Sequence, residues 1–423
     1  MYSGITYGWR NIDNGKMYIG YHKTTEVDDG YIFSTEDVDA NEAWEYGRLE
    51  QHILYKGDQS VAITLENFLL KHVDYRFNTI LEPSFGSGEF IEDVKKYEGQ
   101  IYGVEKNKTI FDKTVSTFPD CFLENVDFLE YTNPDKFDLI IGNPPFFVTN
   151  IKNKECMIGR GNIFVLILYK CLTVHLKKNG ILAFVLPTSF YNCKYYEPCR
   201  QYIKDNCKIL YMKNIQDSDF HDTDQNTMIM IIQNTPSKNR KYMIEFESTL
   251  CFTPYYKEIE TILKGSFTLQ QLGFKVKTGE IVWNEHKKDL DDDDGTIVIY
   301  SGNIVNNQLV LNNLKGEKKQ FIQNCSKPIN TGPAILISRG YGNNYIFSYT
   351  TIDENIEFYG ENHINIIYTD DPEKIEYIPR IIESFEDQRT IDFVKLYVGN
   401  GALSKTEIET VLPIFLQREI TFE

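Results

Sequence analysis

Residues Asn143 to Phe146 read Asn-Pro-Pro-Phe and directly follow a buried apolar run. An exocyclic amine on a planar ring is a poor nucleophile, because its nitrogen lone pair is delocalised into the ring. If the Asn143 side-chain oxygen and the Pro144 carbonyl each accept one N–H, the nitrogen is drawn towards tetrahedral geometry and its lone pair becomes available. Pro144 and Pro145 keep the turn rigid and leave no competing N–H donor. Phe146 offers a flat face to a base, so these residue types predict chemistry on a planar amine.

Taken alone, this motif could simply end a strand, but three earlier strand ends suit one ligand. Gly86 and Gly88 follow the first strand and let a ligand approach the backbone. Glu105 closes the second strand, where a carboxylate can accept both hydroxyls of a ribose. Asp127 and Phe128 end the third, and they offer an acceptor for an adenine amino group and an apolar face to stack on it. Together the strand ends predict a nucleoside site.

A phosphate-binding motif is missing from the sequence around this site. The chain has no G-x-x-x-x-G-K-[ST] segment, and the glycine turn lacks the third glycine of a pyrophosphate fingerprint. An adenosine cofactor without a diphosphate fits better, and S-adenosylmethionine is the commonest of these. Its sulfonium methyl would face the amine that Asn143 holds.

Alternating strands and helices must position these residues. From Thr79 onwards, short apolar runs alternate with stretches of helical pattern. Residues 163–180 predict a buried helix, and residues 181–187 predict a further buried strand. This alternation indicates an α/β fold with a mostly parallel, doubly wound, Rossmann-like sheet. Ligands bind such sheets beyond the carboxyl ends of the strands.

The pattern changes after a linker-like stretch at residues 234–240. Beyond it, short apolar runs alternate with Gly and Asn turns, and a helical tail is expected from Ser404 to Leu416. We therefore predict a small N-terminal appendage over residues 1–55, a catalytic domain over 56–238 and a mixed α+β domain over 239–423.

Composition limits the class of protein. The 423 residues are 42% hydrophobic and 25% charged, which suits two large globular domains. No signal peptide or membrane-spanning apolar run is evident, so we expect a cytoplasmic or otherwise intracellular protein. The net charge of −17 argues against binding nucleic acid through bulk electrostatics but permits a local basic groove. The eight cysteines contain no C-x-x-C pair, the histidines show no ligand spacing, and Asp291–Asp294 is expected to be a solvated loop, so no metal site is predicted.

The segments that carry these residues resemble the γ-class, TaqI-like adenine-N6 DNA methyltransferases. They are, in order, EPSFGSGEF, GVEKN, VDF, GNPPF and ILAFVLPTSF. The likeness covers roughly residues 57–235. It implies transfer of a methyl group from S-adenosylmethionine to N6 of an adenine that has been rotated out of duplex DNA. It also implies a link to restriction-modification systems.

The resemblance assigns roles to individual residues. The implied cofactor-binding residues are Glu82, Ser84, Phe85, Gly86, Gly88, Glu105, Asp127, Phe128 and Asn143. The implied catalytic loop is Asn143, Pro144, Pro145 and Phe146. Phe220 matches the aromatic residue that packs on the flipped base.

A base-specific domain is required when the base must be flipped, and residues 241–423 resemble target-recognition domains. A locally basic stretch there predicts phosphate contacts by lysines, and a base or phosphate contact by Arg339. The predicted DNA-binding residues are Lys277, Trp283, Lys287, Lys288, Lys318, Lys319, Arg339 and Tyr341. We expect double-stranded DNA as the partner, a cognate restriction endonuclease as a second candidate partner, no membrane and a monomeric protein.

The N-terminus resembles the start of GIY-YIG nuclease domains, with Tyr7, an N-G-K turn at Asn14–Lys16 and Tyr18-Ile19-Gly20. The arginine that such nucleases carry soon afterwards appears only at Arg48, and the candidate metal-binding Glu66 falls inside the methyltransferase segment. We expect a degenerate remnant that serves as an extra DNA contact or packing unit.

Other functions stay open on the residues alone. N-P-P-[YF] also serves methyltransferases of protein glutamine and of RNA bases, although the large C-terminal domain favours DNA. A bifunctional nuclease-methyltransferase is a further alternative. Methylation of cytosine N4 usually goes with Ser or Asp in place of Asn143.

Overall fold

The structure is a computed structural model, and it describes residues 4–11, 17–22, 49–57, 77–95, 99–215, 227–339, 347–397 and 403–416. The chain forms two compact units, Met1–Met243 and Ile244–Glu423.

The first unit contains two sheets, a short hairpin and four α-helices among the described residues. Its strands are β1 (Gly4–Asn11), β2 (Met17–His22), β3 (Leu49–Gly57), β4 (Thr79–Glu82), β5 (Gln100–Val104), β6 (Phe122–Glu124), β7 (Phe137–Gly142), β8 (Val148–Thr149), β9 (Gly161–Asn162), β10 (Leu176–Pro187), β11 (Lys208–Ile215) and β12 (Thr227–Gln233). Its helices are α1 (Glu89–Val94), α2 (Lys108–Thr114), α3 (Ile163–Lys170) and α4 (Glu197–Asn206). The first three strands form an antiparallel sheet of their own, in the order β2-β1-β3.

The seven-stranded sheet has the order β11-β12-β10-β7-β4-β5-β6. Neighbours from β10 to β6 are parallel, and β12 runs antiparallel to both β10 and β11. The chain proceeds outwards from β4 through β5 to β6, then returns to the other side of β4 to form β7. The switch point therefore lies between β4 and β7, and the predicted doubly wound α/β fold is confirmed.

An aspartate fixes the register of these two central strands. Asp138 Oδ2 accepts the N–H groups of Asn78 and Thr79, each at 3.0 Å, and its Oδ1 lies 2.9 Å from Lys177 Nζ. The bonds hold the start of β4 against β7, with Ile80 opposite Leu139. Strands covered on both faces are largely apolar, and five of the six residues of β7, all except Asp138, are buried.

The helix predicted over residues 163–180 is shorter than expected. α3 ends at Lys170, a π-helical turn covers Cys171–His175, and β10 begins at Leu176. Leu176 pairs with Phe137 of β7, so the last residues of the predicted helix form the start of β10 instead. The sequence Leu-Lys-Lys-Asn-Gly at residues 176–180 could equally continue a helix to a terminal glycine, and the pairing of Leu176 with β7 depends on a residue about 40 positions earlier.

The second unit is a mixed α+β structure. Its strands are β13 (Met243–Glu245, whose first residue belongs to the first unit), β14 (Leu250–Phe252), β15 (Lys275–Thr278), β16 (Leu290–Asp291), β17 (Thr296–Ile299), β18 (Ile304–Val305), β19 (Gln308–Leu309), β20 (Phe321–Ile322), β21 (Asn330–Thr331), β22 (Ala334–Ser338), β23 (Tyr349–Ile352), β24 (Glu357–Gly360) and β25 (Ile364–Tyr368). Its helices are α5 (Tyr256–Ile262), α6 (Ile378–Phe385), α7 (Gln388–Tyr397) and α8 (Lys405–Thr410).

Two main sheets build this unit. One has the order β15-β25-β22-β23 and the other the order β16-β20-β17-β24-β21. The predicted helical tail is restricted to α8, which Ser404 caps, and Ile414 beyond it pairs with Phe267. Among the described residues, no helix has the length and apolar character needed to span a bilayer.

Candidate active site

Two loops meet at the switch point of the seven-stranded sheet. Gly142, the last residue of β7, lies against the residues that end β4. A Cβ atom on Gly142 would be 3.5 Å from Pro83 Cδ and 3.7 Å from Glu82 Cγ. The loop that begins at Pro83 and the loop that begins at Asn143 are therefore neighbours, as the sequence predicted for the cofactor and catalytic loops.

The loop after β4 is a tight turn. Gly86 and Gly88 have φ angles of +52° and +82°, which other residues rarely adopt. A Cβ on Gly88 would be 2.3 Å from the Phe118 ring, whereas a Cβ on Gly86 would meet nothing within 4 Å. Gly88 is thus required by packing, and Gly86 borders open space. The Phe85 ring is buried in the core of the sheet, so only the backbone of this predicted cofactor-binding residue can face a ligand.

Glu105 lies directly after β5 and joins two loops. One carboxylate oxygen accepts the Gly86 N–H at 3.0 Å, and the other accepts the Asn107 N–H at 2.6 Å. These bonds fix the plane of the carboxylate beside the glycine turn. Each oxygen keeps acceptor capacity for a hydroxyl group, so the predicted contact with a ribose stays a prediction that this geometry permits.

Asp127 lies three residues beyond the end of β6, not at the strand end as predicted. Its Oδ1 accepts the Leu129 N–H at 2.9 Å, and its Oδ2 lies 2.8 Å from Lys106 Nζ. Partial burial alone would raise the pKa of this carboxyl, but the bonds from Lys106 and Leu129 outweigh it, and the net pKa is lowered. Asp127 is therefore an anion at neutral pH and can accept a hydrogen bond from an amino group.

The Phe128 ring does not offer the stacking face that the sequence predicted. It is 4% exposed, and its centroid lies 5.9 Å from that of Tyr131 and 5.4 Å from that of His175. The short β6 leaves a turn after it, and this turn directs the ring into the core. Phe128 keeps its place next to Asp127, but its side chain acts in packing.

Lys170, at the end of α3, is a residue that the sequence did not single out. Its ammonium donates to the carbonyls of Phe128, Leu129 and Tyr131 at 2.7 to 2.8 Å. Lys170 thereby fastens the turn that follows Asp127 to the helix that follows the Asn-Pro-Pro-Phe segment. No local signal could have revealed this contact, because its partners lie about 40 residues earlier in the chain.

The loop after β7 differs from these turns. Asn143 and Pro145 are exposed, Pro144 is buried, and Phe146 is partly buried. The Phe146 ring packs edge-on against Phe164 with centroids 5.9 Å apart, which leaves part of the ring accessible. Within the described part of the chain, the Asn143 side chain makes no hydrogen bond, so its amide oxygen is available to an incoming donor.

The predicted DNA-binding lysines of the second unit are partly neutralised. Lys277 pairs with Glu280 at 3.1 Å, Lys287 with Glu317 at 2.6 Å, and Lys319 with Asp292 at 3.0 Å. Lys318 lies over the rings of Trp283 and Tyr300, at 5.6 and 4.9 Å from their centroids. Lys288 is exposed, and Arg339 is partly buried with Nη1 3.5 Å from the Asn362 carbonyl.

Several predicted residues lie outside the described ranges. They are Phe220, Tyr341, the Asn14–Lys16 turn, Arg48 and Glu66. Tyr7 lies opposite Gly20 in the β1–β2 pair, and the nuclease resemblance of this segment stays a prediction. In the residues that are described, no group of three His, Cys, Asp or Glu side chains is arranged to hold a metal ion.

Comparison with known proteins places this site in a family. Residues 56–220 match the Eco57I restriction-modification methylase family. The Type II methyltransferase M.CvrRI of Paramecium bursaria Chlorella virus XZ-6E is 31% identical over 356 residues, covering 81% of this chain and 89% of that protein. The modification methylase CviBIII of Paramecium bursaria Chlorella virus NC1A is 30% identical over 349 residues, covering 80% and 86%. Among solved structures, an S-adenosylmethionine-dependent methyltransferase from Clostridium acetobutylicum covers 40% of this chain and 90% of its own, at 13% identity and a TM-score of 0.29.

Proposed function

The chain belongs to the type II restriction-modification DNA methyltransferases, and from that premise we propose that it methylates N6 of an adenine rotated out of duplex DNA. The observation that carries the proposal is the position of Asn143. Its exposed amide begins the loop after β7, beside the loop after β4, where the amine and the methyl donor must meet. Asn at this position favours adenine N6 over cytosine N4, which usually goes with Ser or Asp.

The cofactor is S-adenosylmethionine, which supplies an electrophilic methyl group on a sulfonium. The residues around the glycine turn fit it. The Ser84 hydroxyl is shielded from solvent and has no hydrogen-bond partner among the described residues, and open space lies beside Gly86. Glu105 would hold the ribose hydroxyls, and the Asp127 carboxylate would accept from the adenine amino group of the cofactor.

The chain's own part in the transfer is to prepare the amine. The Asn143 side-chain oxygen and the Pro144 carbonyl accept its two N–H groups, which localises the lone pair on nitrogen and points it at the methyl group. The N–C bond would form as the sulfonium S–C bond breaks and leaves a neutral thioether, and the two dipoles would stabilise the positive charge on the nitrogen until it loses a proton to solvent. Phe146 supports the base through its accessible ring face.

Product analysis tests the proposal. Purified protein is incubated with methyl-labelled S-adenosylmethionine and, separately, unmethylated genomic DNA, total RNA and a ribosomal protein fraction. We expect label in DNA alone, and N6-methyldeoxyadenosine after digestion to nucleosides and mass spectrometry. N4-methyldeoxycytidine, or label confined to RNA or protein, would refute it. Sequencing of the methylated DNA then gives the recognition site.

A further inference from the structure

The segment that directly follows the catalytic loop is a short hairpin, residues 147–162, which we call the post-catalytic hairpin. β8 and β9 pair through Val148 with Asn162 and Thr149 with Gly161. The Phe147 carbonyl accepts the Ile163 N–H at 3.0 Å, which closes the hairpin at the start of α3. The hairpin is thus held at its base next to Asn143–Phe146, and Cys156 and Met157 in its middle are buried, whereas many of its other side chains face solvent.

Apolar side chains on this hairpin are exposed. Phe147, Val148, Ile151 and Ile158 are 42 to 55% exposed, and Tyr195, from the turn before α4, is 43% exposed. Tyr195 belongs to the same surface, because its carbonyl accepts the Ile158 N–H at 2.8 Å. Several large apolar side chains left in water within one short segment indicate a binding partner.

The same surface is cationic. The hairpin carries Lys152, Lys154 and Arg160, and Lys194 adjoins Tyr195. All four are exposed, and within the described ranges none of them forms an ion pair. Lys152 Nζ donates to the Gly159 carbonyl at 2.9 Å and braces the hairpin. Among the described residues, the side chains of Lys154, Arg160 and Lys194 make no hydrogen bond.

The hairpin contains one carboxylate, Glu155, and a tyrosine donates a hydrogen bond to it. Glu155 accepts the Tyr169 hydroxyl at 3.2 Å. Burial, followed by the neighbouring Glu155 carboxylate, raises the pKa of Tyr169 to about 12, so the hydroxyl stays protonated and keeps donating. With four cations against this one carboxylate, the segment has a local excess of positive charge in a chain whose net charge is −17.

We propose that the post-catalytic hairpin, with Lys194 and Tyr195, is a contact surface for the duplex on either side of the extruded base. This inference rests on the proposed function. An extruded nucleotide stays joined to its strand, so its flanking phosphates must pass close to the catalytic loop, and the hairpin continues that loop without a break. Lys154, Arg160 and Lys194 contact phosphates. Phe147 packs on bases or sugars beside the gap, as apolar side chains do in proteins that unstack DNA.

The cation part is tested by the salt dependence of DNA binding. The triple variant Lys154→Gln/Arg160→Gln/Lys194→Gln is compared with wild type on a short duplex by fluorescence anisotropy. The slope of log K against log salt is negative, and each lost phosphate contact reduces its magnitude by about 0.9. We therefore expect the magnitude of the slope to decrease by about 2 to 3. The matched control is the double variant Lys136→Gln/Lys178→Gln, which should leave the slope unchanged. Both lysines are exposed, and they lie near the starts of β7 and β10, at the end of these strands away from the catalytic loop.

The apolar part is tested by Phe147→Ala on a duplex that carries 2-aminopurine at the target adenine. We expect a weaker fluorescence increase and a methyl-transfer rate lower by about tenfold, which is the scale of one lost aromatic contact to a base. Cofactor affinity should not change. Ile110→Ala, at an exposed apolar residue on α2, is the control and should behave as wild type.

The outcomes separate this inference from the proposed function. A wild-type protein that binds and methylates DNA, together with a triple variant of unchanged slope and a Phe147→Ala variant of unchanged rate, overturns the inference alone. Label in RNA or protein instead of DNA would already have refuted the proposed function with wild type. If sedimentation shows that wild type self-associates and the variants do not, the surface joins two copies of the chain and the inference is wrong.

Discussion

The proposed cofactor side and the proposed substrate side of the active site lie at one edge of the same sheet, but they are built differently. On the cofactor side, Glu105 and Asp127 are bound by backbone N–H groups, and Lys170 fastens the turn after Asp127. On the substrate side, the Asn143 side chain has no hydrogen bond and Phe147 is exposed, in the part of the chain that is described. The difference indicates that the chain assembles the cofactor side itself and leaves the substrate side to be completed by DNA.

The largest expected effect comes from removing the acceptor on the substrate side. Asn143→Ala should lower kcat by about a hundredfold to a thousandfold, the scale of losing one prearranged dipole that stabilises developing charge. Cofactor affinity should stay close to wild type, because in the described structure the Asn143 side chain makes no hydrogen bond to the loops that would hold the cofactor. Single-turnover methyl transfer and calorimetric titration with the cofactor measure the two quantities.

The control for this variant is Asn78→Ala, which alters an exposed asparagine at the opposite edge of the sheet. An Asn143→Ala protein with wild-type kcat would show that the amine is prepared by other groups.

A change on the cofactor side should have the opposite effect, which is weaker cofactor binding with little change in the transfer rate. Glu105→Gln removes the charge from a carboxylate that Gly86 and Asn107 orient. Hydrogen bonds to charged groups contribute about 1.5 to 3 kcal/mol, so the Kd for S-adenosylmethionine should rise by about tenfold or more. The rate at saturating cofactor should stay close to wild type. A fall in that rate without a change in Kd would contradict the division between the two sides.

His175 sharpens the comparison through stability. It is fully buried under the Asp127 turn, against the rings of Phe128 and Tyr131, and burial, aided by the cations Lys170 and Lys136, lowers its pKa to about 4. Because the folded pKa lies below the unfolded value of about 6.5, the unfolded state binds more protons between those pH values, and stability falls as the pH falls through that window. Between pH 7 and pH 5 the loss from this group is about 2 kcal/mol.

His175→Phe should remove that pH dependence, since phenylalanine has no proton to bind and suits the aromatic surroundings. Urea unfolding of both proteins at pH 7 and pH 5 measures it. Equal losses of stability in the two proteins would show that His175 is not held neutral.

The smallest effect is expected from two lysines of the second unit. For each residue changed, the double variant Lys287→Gln/Lys319→Gln should reduce the magnitude of the salt slope of DNA binding by less than the hairpin triple variant does. Each of these lysines must leave a carboxylate before it reaches a phosphate, whereas the hairpin cations have no carboxylate partner in the ranges that the structure describes. If the salt slope changes more per residue here than in the hairpin variant, the main phosphate contacts are made by this segment and not by the hairpin.

Local signals were sufficient for part of the fold, because strand ends and turns are determined by neighbouring residues. They predicted the succession of strands along the chain, the glycine turn, the position of Glu105 directly after β5 and the position of the Asn-Pro-Pro-Phe loop after β7. The burial of the Phe85 and Phe128 rings, the limits of the helix after residue 163 and the carboxylate partners of Lys287 and Lys319 depend on contacts far apart in the chain. Glu317, for example, lies 30 residues from Lys287.

Hydrogen–deuterium exchange of the protein alone, with cofactor, and with cofactor and DNA tests the difference between the two sides most directly. Segments 82–88 and 127–131 should reach their full protection before DNA is added, whereas segment 143–160, which its own hairpin hydrogen bonds protect in part, should become more protected when DNA is added. No further protection of segment 143–160 on adding DNA would contradict a substrate side that DNA completes.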